Sequence, residues 1–148
     1  MTIDLRTAAL DYLQQHHVLA LATRTADDLW AAAVFYVNSG FDLIFLSAGH
    51  TRHAHHLATH PWAAATIQDS ISDWREIKGI QLEGPVQQLA GAEQEMAEAL
   101  YRTRFPFLQD APDPIQRAFA QVNWYRLTPR HLYLLDNSHG FGHRDQIF

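Results

Sequence analysis

Between Val18 and Ser47 the chain sets three short apolar runs between stretches of turn chemistry, and this pattern constrains the fold more than any other feature. Val18 to Thr23 ends in Thr25-Ala26-Asp27-Asp28, which leads straight into a second run from Leu29 to Asn38. These two read as a β-hairpin. Asn38-Ser39-Gly40 is another turn, and Asp42-Leu43-Ile44-Phe45-Leu46-Ser47 resumes at once as a third strand. A three-stranded antiparallel meander is the expectation.

The remaining segments extend it. From Asp4 to His16, Leu5, Ala9, Tyr12, Leu13 and His16 follow the stripe of an amphipathic helix. Thr51 to Thr59 has the length and content of a short helix stopped by His60-Pro61, because the residue before proline avoids the α region. Trp62 to Gln68 reads as a fourth strand, and Asp69 to Ile77 as irregular. Ile80, Leu82 and Val86 then alternate with Gln81, Glu83 and Gln87, the period of a half-buried strand, with Gly84-Pro85 marking a bulge or an edge. A helix from Ala92 to about Arg104 places Met96, Leu100, Tyr101 and Arg104 on one face, and Asp113-Pro114 reads as the cap and first turn of another. Trp124 to Leu127 and His131 to Leu135, separated by Thr128-Pro129-Arg130, read as a final hairpin, followed by an irregular tail after Asp136. The sum is an α+β chain that is mainly β, with six or seven antiparallel strands forming a barrel decorated by helices.

Composition removes several functions. With 148 residues, 47% of them hydrophobic and 18% charged, the chain matches one compact domain with one core. The absence of Cys removes disulfides, thiolate metal sites and thiol nucleophiles. A net charge of -5 is opposite in sign to the footprint of a nucleic-acid binder. The start, Met1-Thr2-Ile3-Asp4-Leu5-Arg6, lacks the basic and apolar regions of a signal peptide, and no apolar run is long enough to span a bilayer. A cytoplasmic chain with no nucleic-acid or membrane partner is therefore expected.

Two segments carry chemistry. Ser47-Ala48-Gly49-His50-Thr51-Arg52-His53-Ala54 ends a strand and opens a helix, so main-chain N–H groups, a hydroxyl and a guanidinium would face an anion there. The same residues are equally a helix cap at Thr51 with a solvated Arg52. Ala31-Ala32-Ala33-Val34 puts small residues on both faces of the second strand, where a flat ring could lie on the backbone, or where a helix or second subunit could pack closely. Of the 10 His, five (His50, His53, His55, His56 and His60) fall in one stretch. His53, His56 and His60 share a helical face, but the Glu of a zinc-protease helix is absent, since Leu57 follows His56, and no metal site is assigned. His55 and His56 read most simply as positions of a His-rich surface helix.

Taken together, the strand-two run, the Ser47 to Ala54 loop, Leu57, His60-Pro61 and the Gly84 strand resemble the pyridoxamine 5′-phosphate oxidase-like family, the FMN-binding split β-barrels. Ala33-Val34-Phe35-Tyr36, Thr51-Arg52-His53-Ala54, Arg104-Phe105-Pro106, and Asp136-Asn137 with Gly140-Phe141-Gly142 resemble a small, poorly characterised bacterial branch of it. The resemblance spans nearly the whole chain and implies FMN at the interface of a homodimer. It implies that Ala31, Ala32, Ala33 and Val34 lie beside the flavin, Leu46 and Ser47 along it, and Thr51, Arg52 and His53 at its phosphate.

The chain also departs from the oxidase. Ala31 stands where the oxidase has Arg, and His53 where it has Lys, so two cationic contacts are missing or weakened. Tyr36 replaces the Lys that binds the substrate phosphate, which argues against pyridoxamine phosphate as substrate. Tyr101, Arg104 and Phe141 are pocket candidates with Tyr36. The expectation is an FMN-dependent oxidoreductase acting on a small molecule that the sequence does not name, with no catalytic residue evident. Two other readings stand beside it: a haem-binding or haem-handling split barrel, and a flavin carrier or sensor without turnover.

Overall fold

A computed structural model describes residues 4–148. Of the amino-terminal hexapeptide read above, Met1 to Ile3 lie outside the described residues. The elements are α1 (Leu5–Gln15), β1 (Val18–Arg24), β2 (Leu29–Ser39), β3 (Asp42–Ser47), α2 (Arg52–Thr59), β4 (Trp62–Gln68), β5 (Lys78–Gln88), α3 (Gly91–Arg104), α4 (Asp113–Ala120), β6 (Asn123–Leu127), β7 (His131–Asp136) and β8 (Arg144–Gln146). No helix among the described residues is long and apolar enough to cross a membrane.

The strands form one antiparallel sheet in the order β4-β1-β2-β3-β6-β5-β7-β8, and a further β4–β5 pairing closes the first six into a barrel. This is an α+β split barrel, with β7 and β8 added outside the closed ring. The hairpin and meander expected at the start are present, with Val18 opposite Phe35 and Tyr36 opposite Phe45. Asp4 caps α1, accepting from the Arg6 N–H, and Ala9, Tyr12 and Leu13 turn inward. Leu5 is exposed instead, one turn before the buried stripe begins.

The period-two pattern sends Leu19, Leu21, Tyr36, Leu43, Phe45, Ile80 and Leu82 into the barrel. A second cluster, expected by no feature of the sequence, lies outside it: Val37, Ile44, Tyr101, Phe105, Phe119 and Trp124 pack between the sheet and α3 and α4. β3 is therefore buried on both faces, which is why Leu43-Ile44-Phe45 reads as an unbroken apolar run.

Five expectations are corrected. The segments β6 and β7 do not form a hairpin; both pair with β5, Leu127 opposite Val86 and His131 opposite Glu83, and so run in the same direction. Thr128 and Arg130 donate their N–H groups to Pro85 and Glu83, so the link between them continues the ladder around a bend. Gly84 makes that bend feasible, because a Cβ there would overlap the Thr128 carbonyl oxygen. Gly84-Pro85 is thus the corner of an interior strand and not an edge. On α3 the buried residues are Ala97 and Tyr101, while Met96 and Leu100 are exposed, since the helix rests on the second cluster through its small residue. At α4 Pro112 occupies the cap position and Asp113 the first turn, with no side-chain cap bond. The tail is not wholly irregular: β8 pairs with β7.

Candidate functional site

The amino-terminal end of α2 gathers polar side chains from two elements. Thr51 is its cap, with Oγ1 accepting from the Ala54 N–H at 3.3 Å and donating to the Ala48 carbonyl at 2.9 Å. Ser47, at the end of β3, lies 3.0 Å from Thr51 Oγ1 and 2.5 Å from His53 Nε2. The N–H groups of Arg52 and His53 have no acceptor among the described residues, as expected in the first turn of a helix. Burial, reinforced by His56, lowers the pKa of His53 below the ordinary imidazole value.

A second network fixes this helix to the barrel. The buried ring of His56 lies 3.0 Å from Thr23 Oγ1 through Nδ1 and 2.8 Å from Asp28 Oδ2 through Nε2. Nε2–H donates to the carboxylate, and Nδ1 shares one hydrogen bond with the Thr23 hydroxyl. Asp28 also accepts from Arg52, from Nε at 2.9 Å and from Nη2 at the other oxygen. These contacts, Arg52 first and His56 second, hold the Asp28 carboxyl far below the usual carboxylate range. The Arg52 guanidinium stacks 4.1 Å from the Trp30 ring centre. Arg52 is therefore exposed but not free: one edge is fixed on Asp28, and Nη1 has no partner among the described residues.

The small residues of β2 do not pack under a helix. Ala31 and Ala33 face outward and are exposed, each in register with an alanine of β1, Ala22 and Ala20; Ala64 of β4 adjoins Ala22. The result is a flat alanine floor, with Val18 and Phe35 exposed at one end and Leu29 and Trp62 at the other. Ala32 and Val34 point the other way and are half-buried.

The profile of the pyridoxamine 5′-phosphate oxidase family matches residues 5–136. The chain belongs to this family. Within it, a UPF0306 protein of Photorhabdus laumondii is 36% identical over 133 residues, covering 88% of this chain and 87% of the relative. Two solved structures share the fold. A heme binding protein from Mycobacterium smegmatis superposes with a TM-score of 0.79 at 21% identity, over 99% of this chain and 58% of that one. A FAD-binding protein from Mesorhizobium loti gives 0.65 at 12% identity, over 88% and 92%. Neighbours of both cofactor types thus surround this member of the oxidase family.

The other candidates inferred from the oxidase family are dispersed. Leu46 is half-buried against the second cluster, on the face of β3 opposite Ser47. Tyr36 is wholly buried, its hydroxyl donating to the Leu13 carbonyl at 2.7 Å. Tyr101 is in the second cluster, edge-on to Trp124, and burial raises its pKa well above the tyrosine range. Arg104 donates from Nη2 to the carbonyls of Gln14 and His16 and from Nε to His17 Nδ1, so it serves the orphan carbonyls at the end of α1. Phe141 is exposed and packs edge-on against Trp74. That pair sits by the Lys78 end of β5, whereas α2 docks near the opposite end, so one protomer does not bring Phe141 to Thr51 or Arg52.

Among the clustered histidines, His55 is exposed as read, but His56 is buried; its apparent surface character came from the neighbours, not from the ring. Thr23, Asp28 and Trp30 were not legible as site residues. Asp28 reads as turn chemistry, and nothing in the sequence links it to partners 24 and 28 residues away.

Proposed function

We propose that this chain is an FMN-binding flavoprotein of the oxidoreductase class, working as a homodimer. One observation carries the reading: the Ser47 and Thr51 hydroxyls and His53 Nε2 converge on the end of α2 where the Arg52 and His53 N–H groups have no acceptor among the described residues. The Ser47 hydroxyl, two main-chain donors and an adjacent guanidinium form the donor set that a phosphate monoester requires, while Thr51, whose proton goes to the Ala48 carbonyl, fixes the helix end beside them. FMN, when bound, supplies hydride and electron transfer through its ring system. The chain's residues bind and orient. Ser47, Arg52 and the main chain of the first turn of α2 hold the phosphate, Thr51 orients Ser47 and caps the helix, Asp28 and Trp30 keep the guanidinium in place, and the alanine floor beside Ala31 and Ala33 admits a flat ring close to the backbone.

The same floor supports the homodimer, because a broad exposed apolar face bounded by Phe35, Val18, Leu29 and Trp62 is more than a monomer of this size ordinarily leaves in water. A two-fold copy would cover it and supply the far wall of the flavin site. Haem is the weaker reading for the α2 histidines. Both nitrogens of the buried His56 are engaged by Thr23 and Asp28, and His53 Nε2 by Ser47, so neither buried histidine of α2 offers a ready axial ligand, which leaves only the exposed His55 on that helix. The absorbance spectrum of the purified protein tests this: a flavin spectrum bleached by a nicotinamide donor under anaerobic conditions is expected. A Soret band, or a flavin that no reductant reaches, would overturn it in favour of haem handling or of a flavin carrier.

A further inference from the structure

Beside the alanine floor, a groove of about 470 Å³ opens between the ends of β1 and β4 and the last turn of α2. Its walls are apolar: Ala22 and Ala64 form the base, and Leu29 and Trp62 rise from it, with relative exposures of 74% and 46% that no neighbouring element reduces. That volume is within the range of sites for small organic ligands.

Two features give the groove a chemistry. The Trp62 indole is fixed, because Nε1–H donates to Glu83 Oε2, and the other Glu83 oxygen is 2.5 Å from His131 Nδ1. The Glu83 carboxylate, though part of the groove lining, is thus occupied on both oxygens. Arg24, at the rim, is the opposite case: no hydrogen bond or ion pair engages it among the described residues, whereas Arg52 holds a carboxylate. A rigid aromatic wall, a floor without side chains and one uncommitted guanidinium fit a flat, mostly apolar molecule bearing one anionic group.

We infer that this groove is the substrate pocket and that it binds aromatic carboxylates of one or two rings, stacked on Trp62 with the carboxylate on Arg24. The inference rests on the flavoprotein reading for the word substrate, since Ala22 of the groove floor is in register with Ala31 of the flavin face. Its binding claim stands without flavin.

The test is calorimetric titration of flavin-free protein with 1-naphthoate and with the uncharged 1-naphthamide, in wild type, Arg24→Gln and Trp62→Leu, with circular dichroism to confirm folding. Naphthoate should bind at least roughly tenfold tighter than the amide, a charge-assisted hydrogen bond being strong enough for a decade in affinity. Arg24→Gln should erase that difference, and Trp62→Leu should weaken both ligands. Equal binding of the two ligands, an unchanged preference in Arg24→Gln, or no binding at all would overturn the inference. A parallel flavin titration separates its failure from failure of the flavoprotein reading. If neither ligand binds and Trp62→Leu converts dimer to monomer, the groove is covered by the second copy and is not a ligand site.

Discussion

The Thr23 hydroxyl lies 3.0 Å from Nδ1 of His56, and through this contact β1 holds the helix whose first turn is the proposed phosphate site. Both residues are buried. Thr23→Val keeps the shape but leaves the buried imidazole nitrogen without its hydrogen-bond partner, which costs about 1–3 kcal/mol. Urea denaturation should show that loss as a lower midpoint with an unchanged slope. Stability equal to wild type would mean that His56 is held by Asp28 alone.

Gly84 is expected to be the least replaceable residue of the barrel. In Gly84→Ala the new methyl meets the Thr128 carbonyl, so β5 can no longer turn from β7 to β6 without displacing one of them. Overpacking of this kind costs about 1–3 kcal/mol or more. Gly40→Ala provides a contrast, since space around it is open and only its positive φ of 59° resists substitution. A smaller drop in melting temperature for Gly84→Ala than for Gly40→Ala would contradict the corner as described.

These two residues also mark how far the sequence could be read. Local signals sufficed for β1 to β4, where alternation and turn residues agree, and Asp42 to Ser47 and Trp62 to Gln68 match the observed strands end to end. They failed at the second hairpin, because Thr128-Pro129-Arg130 has turn chemistry but bends without reversing, and the cause is Gly84, some 44 residues earlier by position number. The site shows the same division. Thr51 as a cap and Ser47 at a strand end follow from neighbours in sequence, whereas the Asp28 grip on Arg52 and His56 depends on the barrel closing first.

FMN binding should depend on pH through His53. Burial, then His56, depresses its pKa in the free protein. The stability this neutral ring contributes is present above the unfolded value of about 6.5 and is lost as the pH falls from there through the folded value. A phosphate beside the ring favours the proton, so the complex has the higher pKa and binding takes a proton up. FMN affinity should therefore increase as the pH is lowered from about 8 to about 6.5, where the phosphate is still largely dianionic. Riboflavin should show no such slope, and His53→Gln should flatten it for FMN. A slope shared by both flavins would locate the titrating group elsewhere.

The alanine floor should be sensitive to charge. Ala20→Glu or Ala33→Glu places a carboxylate in the middle of the face proposed to pair with a second copy, and light scattering at micromolar concentration should report a monomer where the wild type is a dimer. Monomeric wild type, or dimers unaffected by either substitution, would contradict the assignment of this face.

The end of α2 is proposed to recognise a flavin phosphate with Arg52 as its principal cation. The most direct measurement titrates FMN and riboflavin into flavin-free wild type and Arg52→Ala while following flavin fluorescence. Charge-assisted hydrogen bonds of ordinary strength predict that the substitution weakens FMN by roughly ten- to more than a hundred-fold and leaves riboflavin nearly unchanged. Equal losses for both ligands would assign Arg52 to the fold, through Asp28 and Trp30, and no loss for either would leave the phosphate site without its cation.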